Sequence, residues 1–257
     1  MNTEEYYKMH RMEDRMWWFR GRRKIVLGQL RYLLGTPTGQ QKPILADIGC
    51  GTGRLMPELA QIGTPIGIDI ATVALGICKQ NNAQYMRVAR ANAIQLPILD
   101  NSIDAITALD ILEHLPDDAK ALEEFHRIIK PGGGAVITVP AHPNLWGMHD
   151  IALHHKRRYK TQELKNRIAN AGFNIERLSY AMMPAYPAAW LWRKHKNLRD
   201  TNQDAQNAKT DDFLPPKWIN ETLYHMLKAE AAWLTRGHTL PFGLSIIAVI
   251  RKPIAQS

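Results

Sequence analysis

Short apolar runs alternate with helical patterns through the middle of the chain. The runs are rich in isoleucine, leucine and valine, and glycine, proline or polar residues bound them, as expected of buried strands. The segments between the runs place their apolar residues at helical spacing. We predict strands at 44–48, 65–70, 85–88, 103–109 and 134–139, and helices at 54–62, 71–81 and 117–130. Because strands that alternate with helices form parallel sheets covered on both faces, the pattern predicts an α/β fold.

The two ends of the chain carry longer patterns. Apolar residues near helical spacing predict a helix over residues 4–34, and a Gly/Pro-containing linker follows it. Later segments predict a helix from Thr161 to Ala171, a strand near 174–180, a polar mobile loop at 198–212, a helix at 218–235 and a buried strand at 243–250. We therefore divide the chain into an N-terminal helical lid and linker (1–43), a core (44–180), a helical insertion that caps the substrate (181–240) and a final strand with a tail (241–257).

The composition narrows the class of protein. With 257 residues and 45% hydrophobic content, the chain can bury a sizeable core. It has no apolar run of the about eighteen residues that a membrane span needs, and its N-terminus has no apolar signal core, so we expect a cytoplasmic protein. The two cysteines, Cys50 and Cys78, support no disulfide framework, and no cysteine or histidine spacing indicates structural zinc. We expect reduced thiols and no metal.

The chain is basic, with a formal net charge of +9, and the charge is concentrated in clusters at 20–24, 154–160 and 193–196. A solvated basic surface is the simplest explanation of any one cluster. Three clusters together favour an anionic partner, such as a phosphorylated or acidic substrate, a membrane surface or nucleic acid.

The most specific chemistry lies at the end of the first predicted strand. There Asp47 precedes a turn that contains Gly49, Gly51 and Gly53, and the second predicted strand carries Asp69. Such glycines let the backbone approach a ligand closely, and the second acid can hold a ribose diol. The order differs from the G-x-G-x-x-G of dinucleotide sites, and Asp47 would repel a pyrophosphate. S-adenosylmethionine, which has no phosphate but carries an ammonium and a sulfonium group, suits these residues better.

Five segments in register resemble the class I S-adenosylmethionine-dependent methyltransferases, in particular their type 11 small-molecule branch. These segments are the glycine motif at 47–53, the acid Asp69, the stretches 91–97 and 102–115, and the turn at 127–134. The resemblance covers roughly residues 44–180. It implies a Rossmann-like sheet of seven mostly parallel strands with helices on both faces, and a last strand inserted antiparallel beside the sixth. It also implies that S-adenosylmethionine is held by Asp47, Gly49, Cys50, Gly51, Gly53, Asp69, Ile70, Asn92, Ala93, Leu109 and Asp110.

Residue 92 departs from the family's pattern. Where many relatives have an aspartate that accepts the adenine amino proton, this chain has Asn92. The amide oxygen of Asn92 still accepts a hydrogen bond, but without charge assistance. If this side chain turns away, adenine recognition rests on the backbone of Ala93.

The segment after the fifth predicted strand supplies the catalytic candidates His149, His155 and Tyr159. Loops at that edge of the sheet face the ligand, and a histidine can take a proton from a hydroxyl or amine near neutral pH. The segment resembles an H-D-x-x-x-(G/H)-H-x-R-R-Y pattern of some type 11 sequences. The alternative is a structural loop in which Arg157 or Arg158 pairs with Asp150 and Tyr159 fills the core.

The candidates for binding the acceptor are Arg20, Arg22, Trp146 and Arg158. Arg20 and Arg22 follow the aromatic residues Trp17 and Phe19 in a segment that resembles the entry helix of the same type 11 sequences. Either arginine can hold an anionic group of the acceptor. An aromatic stripe that packs in the core is the alternative explanation of this segment.

Together these observations predict an S-adenosylmethionine-dependent methyltransferase that transfers a methyl group to oxygen or nitrogen of a small or lipid-linked acceptor. Peripheral contact with a membrane is a further expectation. Two alternatives keep the same fold: an RNA methyltransferase, which the basic composition suggests, and a non-catalytic cofactor-binding partner protein. Because no appended RNA-binding module is present, nucleic acid is the less favoured partner. A nicotinamide oxidoreductase is disfavoured by the glycine order and by Asp47.

Overall fold

A seven-stranded sheet forms the centre of the protein in the computed structural model, which describes residues 3–35, 41–81, 87–187, 189–190 and 214–254. The strands are β1 (Ile44–Ile48), β2 (Thr64–Asp69), β3 (Val88–Arg90), β4 (Ile103–Leu109), β5 (Ile129–Pro140), β6 (Asn174–Ala181) and β7 (Ser245–Arg251). Their order across the sheet is β3-β2-β1-β4-β5-β7-β6.

The strand directions confirm the predicted Rossmann-like sheet. Strands β1 to β5 pair in parallel, and β7 runs antiparallel to both of its neighbours, β5 and β6. The last strand therefore lies beside the sixth, as the resemblance implied. Chain order reverses between β1 and β4, and sheets of this kind bind ligands in the crevice at the carboxyl ends of such strands.

The helices in the described part of the chain are α1 (Thr3–Met12), α2 (Trp17–Leu34), α3 (Met56–Ala60), α4 (Thr72–Asn81), α5 (Asp118–Ile128), α6 (Met148–Ala152), α7 (Thr161–Asn170) and α8 (Lys217–Thr235). The single helix predicted over 4–34 is instead two helices. Asn220 of α8 accepts the backbone N–H of Trp17 at 2.9 Å and donates to the carbonyl of Arg15 at 2.8 Å. This side chain caps the start of α2, so the chain begins a new helix there.

Some predicted boundaries shift. Residues 85–86 of the predicted third strand lie outside the described residues, and β3 covers Val88–Arg90. Strand β5 starts at Ile129, before the predicted start at 134, and includes the proline-glycine stretch at 131–134. The predicted polar loop at 198–212 and the basic cluster at 193–196 lie outside the described residues.

Helices cover both faces of the sheet. On one face, α2 packs against α8, β5 and β7 in a core that includes Leu30, Leu227 and Val249. On the other face, α5 and α7 contribute Phe125 and Leu164 to a second core. The predicted N-terminal segment and the predicted insertion thus each give one helix to the same helical layer.

Candidate active site

The glycine loop after β1 has a backbone that other residues adopt with strain. Gly49, Gly51 and Gly53 have φ angles of 76°, 54° and 77°. A Cβ on Gly49 would also lie 3.1 Å from Cδ1 of Ile111. Positive φ and close packing together explain why this turn requires glycine.

Asp69, at the end of β2, holds this loop in place. Its Oδ2 accepts the N–H of Gly51 and its Oδ1 accepts the N–H of Ala71, both at 2.8 Å. A carboxylate oxygen can accept more than one hydrogen bond, so these contacts leave capacity for two ribose hydroxyls. The acid therefore lies at the crevice where the sequence analysis predicted it.

Asp47, at the end of β1, is almost fully buried. The Thr107 hydroxyl donates to its Oδ1 at 2.7 Å. Burial raises the pKa of Asp47 to about 6, and the nearby carboxylates of Asp69 and Glu13 act in the same direction against the opposing charge of Arg22. Arg22 balances only part of the negative charge of these carboxylates, so a cation bound here would be stabilised by the remainder.

Asp110 brings a further carboxylate to the crevice, directly after β4. Its φ of 51° is unusual for a non-glycine residue, and Thr138 donates to its Oδ1 at 2.9 Å. Arg22 of α2 donates to its other oxygen. The carboxyl ends of β1, β2 and β4 thus place three aspartates at one edge of the sheet, opposite one arginine.

Helix α1 lies over the glycine loop. Met9 comes within 3.5 Å of where a Cβ on Gly51 would stand, and the Thr52 hydroxyl donates to Glu13. Burial and the charge of Asp69 raise the pKa of Tyr6, which places that phenol near the ribose-binding candidate. The N-terminal helix therefore forms one wall of the crevice.

The adenine side of the crevice combines an exposed apolar residue with a turn. Ile70 is 57% exposed directly after β2, although it is a large apolar residue. The side-chain oxygen of Asn92 accepts the N–H of Ile94 at 3.3 Å, whereas Ala93 is buried. The Asn92 oxygen thus already accepts one hydrogen bond within a turn, and the adenine contacts of Asn92 and Ala93 remain predictions.

His155, in the loop that follows α6, has a side chain that is only 7% exposed. Its Nδ1 is 2.9 Å from Oδ1 of Asp150, which fixes the ring, and its Nε2 points toward Glu113 at 3.9 Å. The ring of His114 meets it edge-on with centroids 4.8 Å apart. One ring nitrogen of His155 is thus held by Asp150, while the other faces Glu113.

Tyr159 and Arg158 serve the core instead. Tyr159 is fully buried and donates to Asp118 at 2.6 Å, and burial raises its pKa. Arg158 is buried, pairs with Asp150 at 2.8 Å and donates to the carbonyl of Ala141. These contacts correct the catalytic assignment of Tyr159, because a buried phenol bound to a carboxylate cannot reach an acceptor, and they fit the structural alternative for this loop.

The comparisons with known proteins agree with the cofactor side of this site. Residues 46–137, from β1 into β5, match the type 11 family model described as a methyltransferase domain. This segment is a class I S-adenosylmethionine-dependent methyltransferase domain. Its cofactor is accordingly S-adenosylmethionine, and the nicotinamide alternative falls away.

Two relatives show how much of the chain is similar to known proteins. The chain is 28% identical over 172 residues to a probable S-adenosylmethionine-dependent methyltransferase of Mycolicibacterium smegmatis, which covers 64% of this chain and 62% of the relative. It is 36% identical over 104 residues to a ubiquinone biosynthesis O-methyltransferase of Albidiferax ferrireducens, which covers 37% of this chain and 39% of the relative. The chain spans about half the length of the curated relatives it matches.

One solved structure with a similar fold is the Haemonchus contortus phosphoethanolamine N-methyltransferase 2 in complex with S-adenosyl-L-methionine. It aligns with a TM-score of 0.53 and 18% identity, covering 88% of this chain and 56% of that chain. At this identity the likeness shows the fold alone. Among the described residues, none of the helices combines the length and apolarity needed to cross a bilayer.

The remaining candidates from the sequence analysis are Arg20, Arg22, Trp146 and His149. Arg20 binds Glu221 of α8 through both terminal nitrogens, at 2.6 and 3.2 Å, and stacks on Tyr224. Arg20 and Arg22 are therefore already paired, so an anionic acceptor would compete with Glu221 and Asp110. Trp146 and His149 are partly buried in and next to α6 and remain predictions.

Three features of the site escaped sequence reasoning. Cys50 contributes only backbone to the crevice, since its thiol turns toward Gly67 and Cys78. Glu13, in the break between α1 and α2, accepts a hydrogen bond from Thr52. No local sequence pattern predicts this contact, because it depends on the break. The third feature is the buried carboxyl group of Glu113. The sequence signal that could have drawn attention to it is an acid next to a histidine, His114, just after a strand.

Proposed function

We propose that this protein transfers the methyl group of S-adenosylmethionine to an oxygen atom of a small or lipid-linked acceptor. The observation that carries the proposal is the group of carboxylates at the carboxyl ends of β1, β2 and β4, namely Asp47, Asp69 and Asp110. They outnumber Arg22, the cation that faces them. This excess of negative charge suits a ligand with a sulfonium and an ammonium group, and it would repel a phosphate.

The proposed roles follow the positions of the residues. Asp69 holds the ribose, Asp47 and the backbone of Gly49 hold the methionine end, and Ala93 with Ile70 contacts the adenine. The sulfonium is a good leaving group, so alignment of the acceptor oxygen with the methyl carbon carries most of the rate. The acceptor oxygen forms the new C–O bond while the C–S electron pair returns to sulfur. The proton of an acceptor hydroxyl must also leave, and in the absence of a bound metal the candidate base is His155, whose Nδ1 is held by Asp150 while its Nε2 lies 3.9 Å from Glu113.

The choice of acceptor draws on named relatives. One relative is a ubiquinone biosynthesis O-methyltransferase and others are demethylmenaquinone methyltransferases, whose names refer to quinones. A hydroxylated ring on an apolar tail is therefore the first acceptor class to test. The test uses S-adenosylmethionine carrying a labelled methyl group, the full chain and separate lipid and aqueous extracts. Label in the lipid fraction supports the proposal, and label confined to RNA would favour the alternative of the same fold.

The cofactor assignment has its own test in the Asp69→Ala variant. Loss of a charged hydrogen-bond acceptor should weaken S-adenosylmethionine binding by about 1.5–3 kcal/mol, which is roughly 10- to 150-fold. Calorimetric titration measures the change, with Glu123→Ala on the exposed face of α5 as the control. Equal affinity of Asp69→Ala and the unmodified chain would remove Asp69 from the site.

A further inference from the structure

A cluster of three potential ligands lies beside the proposed cofactor crevice. Glu113 and His114 belong to the turn that follows β4, and His155 belongs to the loop between α6 and α7. One oxygen or nitrogen atom from each lies within 4.8 Å of the others. Two imidazoles and a carboxylate are the donor set of several zinc and iron sites in enzymes.

The carboxyl group of Glu113 is fully buried. Among the described residues, neither of its oxygens has a hydrogen-bond partner, and Nε2 of His155 lies 3.9 Å away. Because a buried polar group without a partner costs folding free energy, such a group requires an explanation. A cation between Glu113 and the two rings would supply the missing partner.

Both histidines are oriented from outside the cluster, as metal-binding histidines usually are. Asp150 holds Nδ1 of His155 at 2.9 Å, so Nε2 faces Glu113. The His114 ring has a hydrogen bond with the backbone of His154, which uses one ring nitrogen and leaves the other for a ligand. An outer carboxylate or carbonyl on each ring is the arrangement that fixes the tautomer of a metal ligand.

We propose that Glu113, His114 and His155 bind a divalent transition-metal ion, with Zn²⁺ as the first candidate. Ligand atoms around tetrahedral zinc lie about 3.3 Å apart, given bonds of about 2.0–2.1 Å, so side-chain rotation has to draw the three groups together. Three protein ligands leave a coordination position open. Asp110 acts electrostatically on both Glu113 and His114, which places the site at the same edge of the sheet as the crevice.

The metal site gives the proposed function a more specific acceptor, and this step rests on that function. An acceptor oxygen in the open position would lose its proton more readily, because a cation stabilises the oxyanion. The favoured acceptors are then phenols or enols that can bind a metal. In this arrangement Nε2 of His155 is a ligand and is not free to act as a base.

The test uses the full chain after removal of metal with a chelator, titrated with Zn²⁺ by calorimetry and with Co²⁺ by visible absorption. We expect one tight site per chain. His114→Ala and His155→Ala should weaken Zn²⁺ binding by more than the about 10- to 100-fold that loss of an outer partner costs. Glu113→Gln, which keeps the shape of the side chain, should also weaken it. His225→Ala, an exposed histidine on α8, is the matched control and should bind as the unmodified chain does.

Two results would overturn the metal site. One is an unmodified chain that binds no ion, and the other is a set of variants that all bind Zn²⁺ as tightly as the control. S-adenosylmethionine affinity of the same variants, measured without metal, tests the proposed function separately. A chain that binds the cofactor but no ion removes the metal site and leaves the methyltransferase proposal standing.

Discussion

The role proposed for Asp47 makes cofactor binding depend on the ionisation of a single residue. Its pKa of about 6 lies just below neutral, because burial disfavours the charged form. As the pH falls through 6 the carboxylate gains a proton and no longer attracts the cationic end of S-adenosylmethionine. We expect the affinity to fall by about tenfold between pH 7.5 and pH 5, since one pH unit below a pKa leaves roughly a tenth of the group charged. Calorimetric titration at several pH values measures this.

The Asp47→Asn variant is the control for that pH dependence. Asparagine keeps an oxygen that can accept from Thr107 but has no charge to lose. The variant should bind the cofactor more weakly at pH 7.5 and with little change down to pH 5. The same slope in both proteins would show that another group is responsible.

At the residue scale, the sequence predicted what local chemistry determines. Asp47 and the glycines lie within one short turn, and Asp69 ends the next strand, so motif spacing located all of them. For Tyr159 and Arg158 the sequence offered both a functional role and a structural one, and motif spacing could not decide between them. The contacts of Tyr159 with Asp118 and of Arg158 with Asp150 in the folded chain decide for the structural one.

The contact between α2 and α8 depends on a residue without a side chain. A Cβ on Gly21 would lie 2.2 Å from Cδ1 of the buried Leu227. We expect Gly21→Ala to destabilise the protein by about 1–3 kcal/mol, because an added methyl group in a packed core forces its neighbours apart. Denaturant unfolding measures the difference in free energy.

Gly76 in α4 offers the matched control, since a Cβ there meets nothing within 4 Å. Gly76→Ala should stabilise the protein by about 0.5–1 kcal/mol, because alanine has less backbone entropy to lose in a helix interior. Opposite signs for the two variants test the packing argument directly. If Gly21→Ala were also stabilising, the α2–α8 contact would have room that the structure does not show.

At the element scale, periodicity predicted the strands and most helices but not the break between α1 and α2. The apolar spacing continues through Met12 and Met16, so it supports one long helix. The break is made by Asn220, more than 200 residues away in the sequence. Helix ends that are capped by a distant side chain leave no local signal, which is why the sequence predicted an N-terminal helical lid but not its division into α1 and α2.

At the scale of the whole molecule, the described basic clusters are largely used inside the protein. Arg20, Arg22 and Arg23 pair with carboxylates, and so do Arg157 and Arg158. The net charge of +9 suggested an anionic partner, but composition does not reveal which cations already have partners. Ion pairs between distant segments can be identified only from the folded chain.

Glu230 makes the stability of the whole molecule depend on pH. It lies buried on α8, accepts the backbone N–H groups of Met182 and Met183 at 2.6 and 2.9 Å, and burial raises its pKa to about 7. The unfolded chain releases this proton near pH 4.5, the ordinary value for the group. Between these values the folded state binds more protons, so the free energy of unfolding falls as the pH rises from about 4.5 to 7.

The Glu230→Gln variant isolates this contribution. Between pH 5 and pH 8 the unmodified protein should lose about 2–3 kcal/mol more stability than the variant, because each unit of pKa shift corresponds to about 1.4 kcal/mol. Urea unfolding at the two pH values gives the comparison, and Glu123→Gln, an exposed glutamate on α5, should keep the slope of the unmodified protein. Identical slopes for Glu230→Gln and the unmodified chain would mean that Glu230 stays ionised in the folded state. The two amide contacts from Met182 and Met183 would then outweigh the cost of burying the charge.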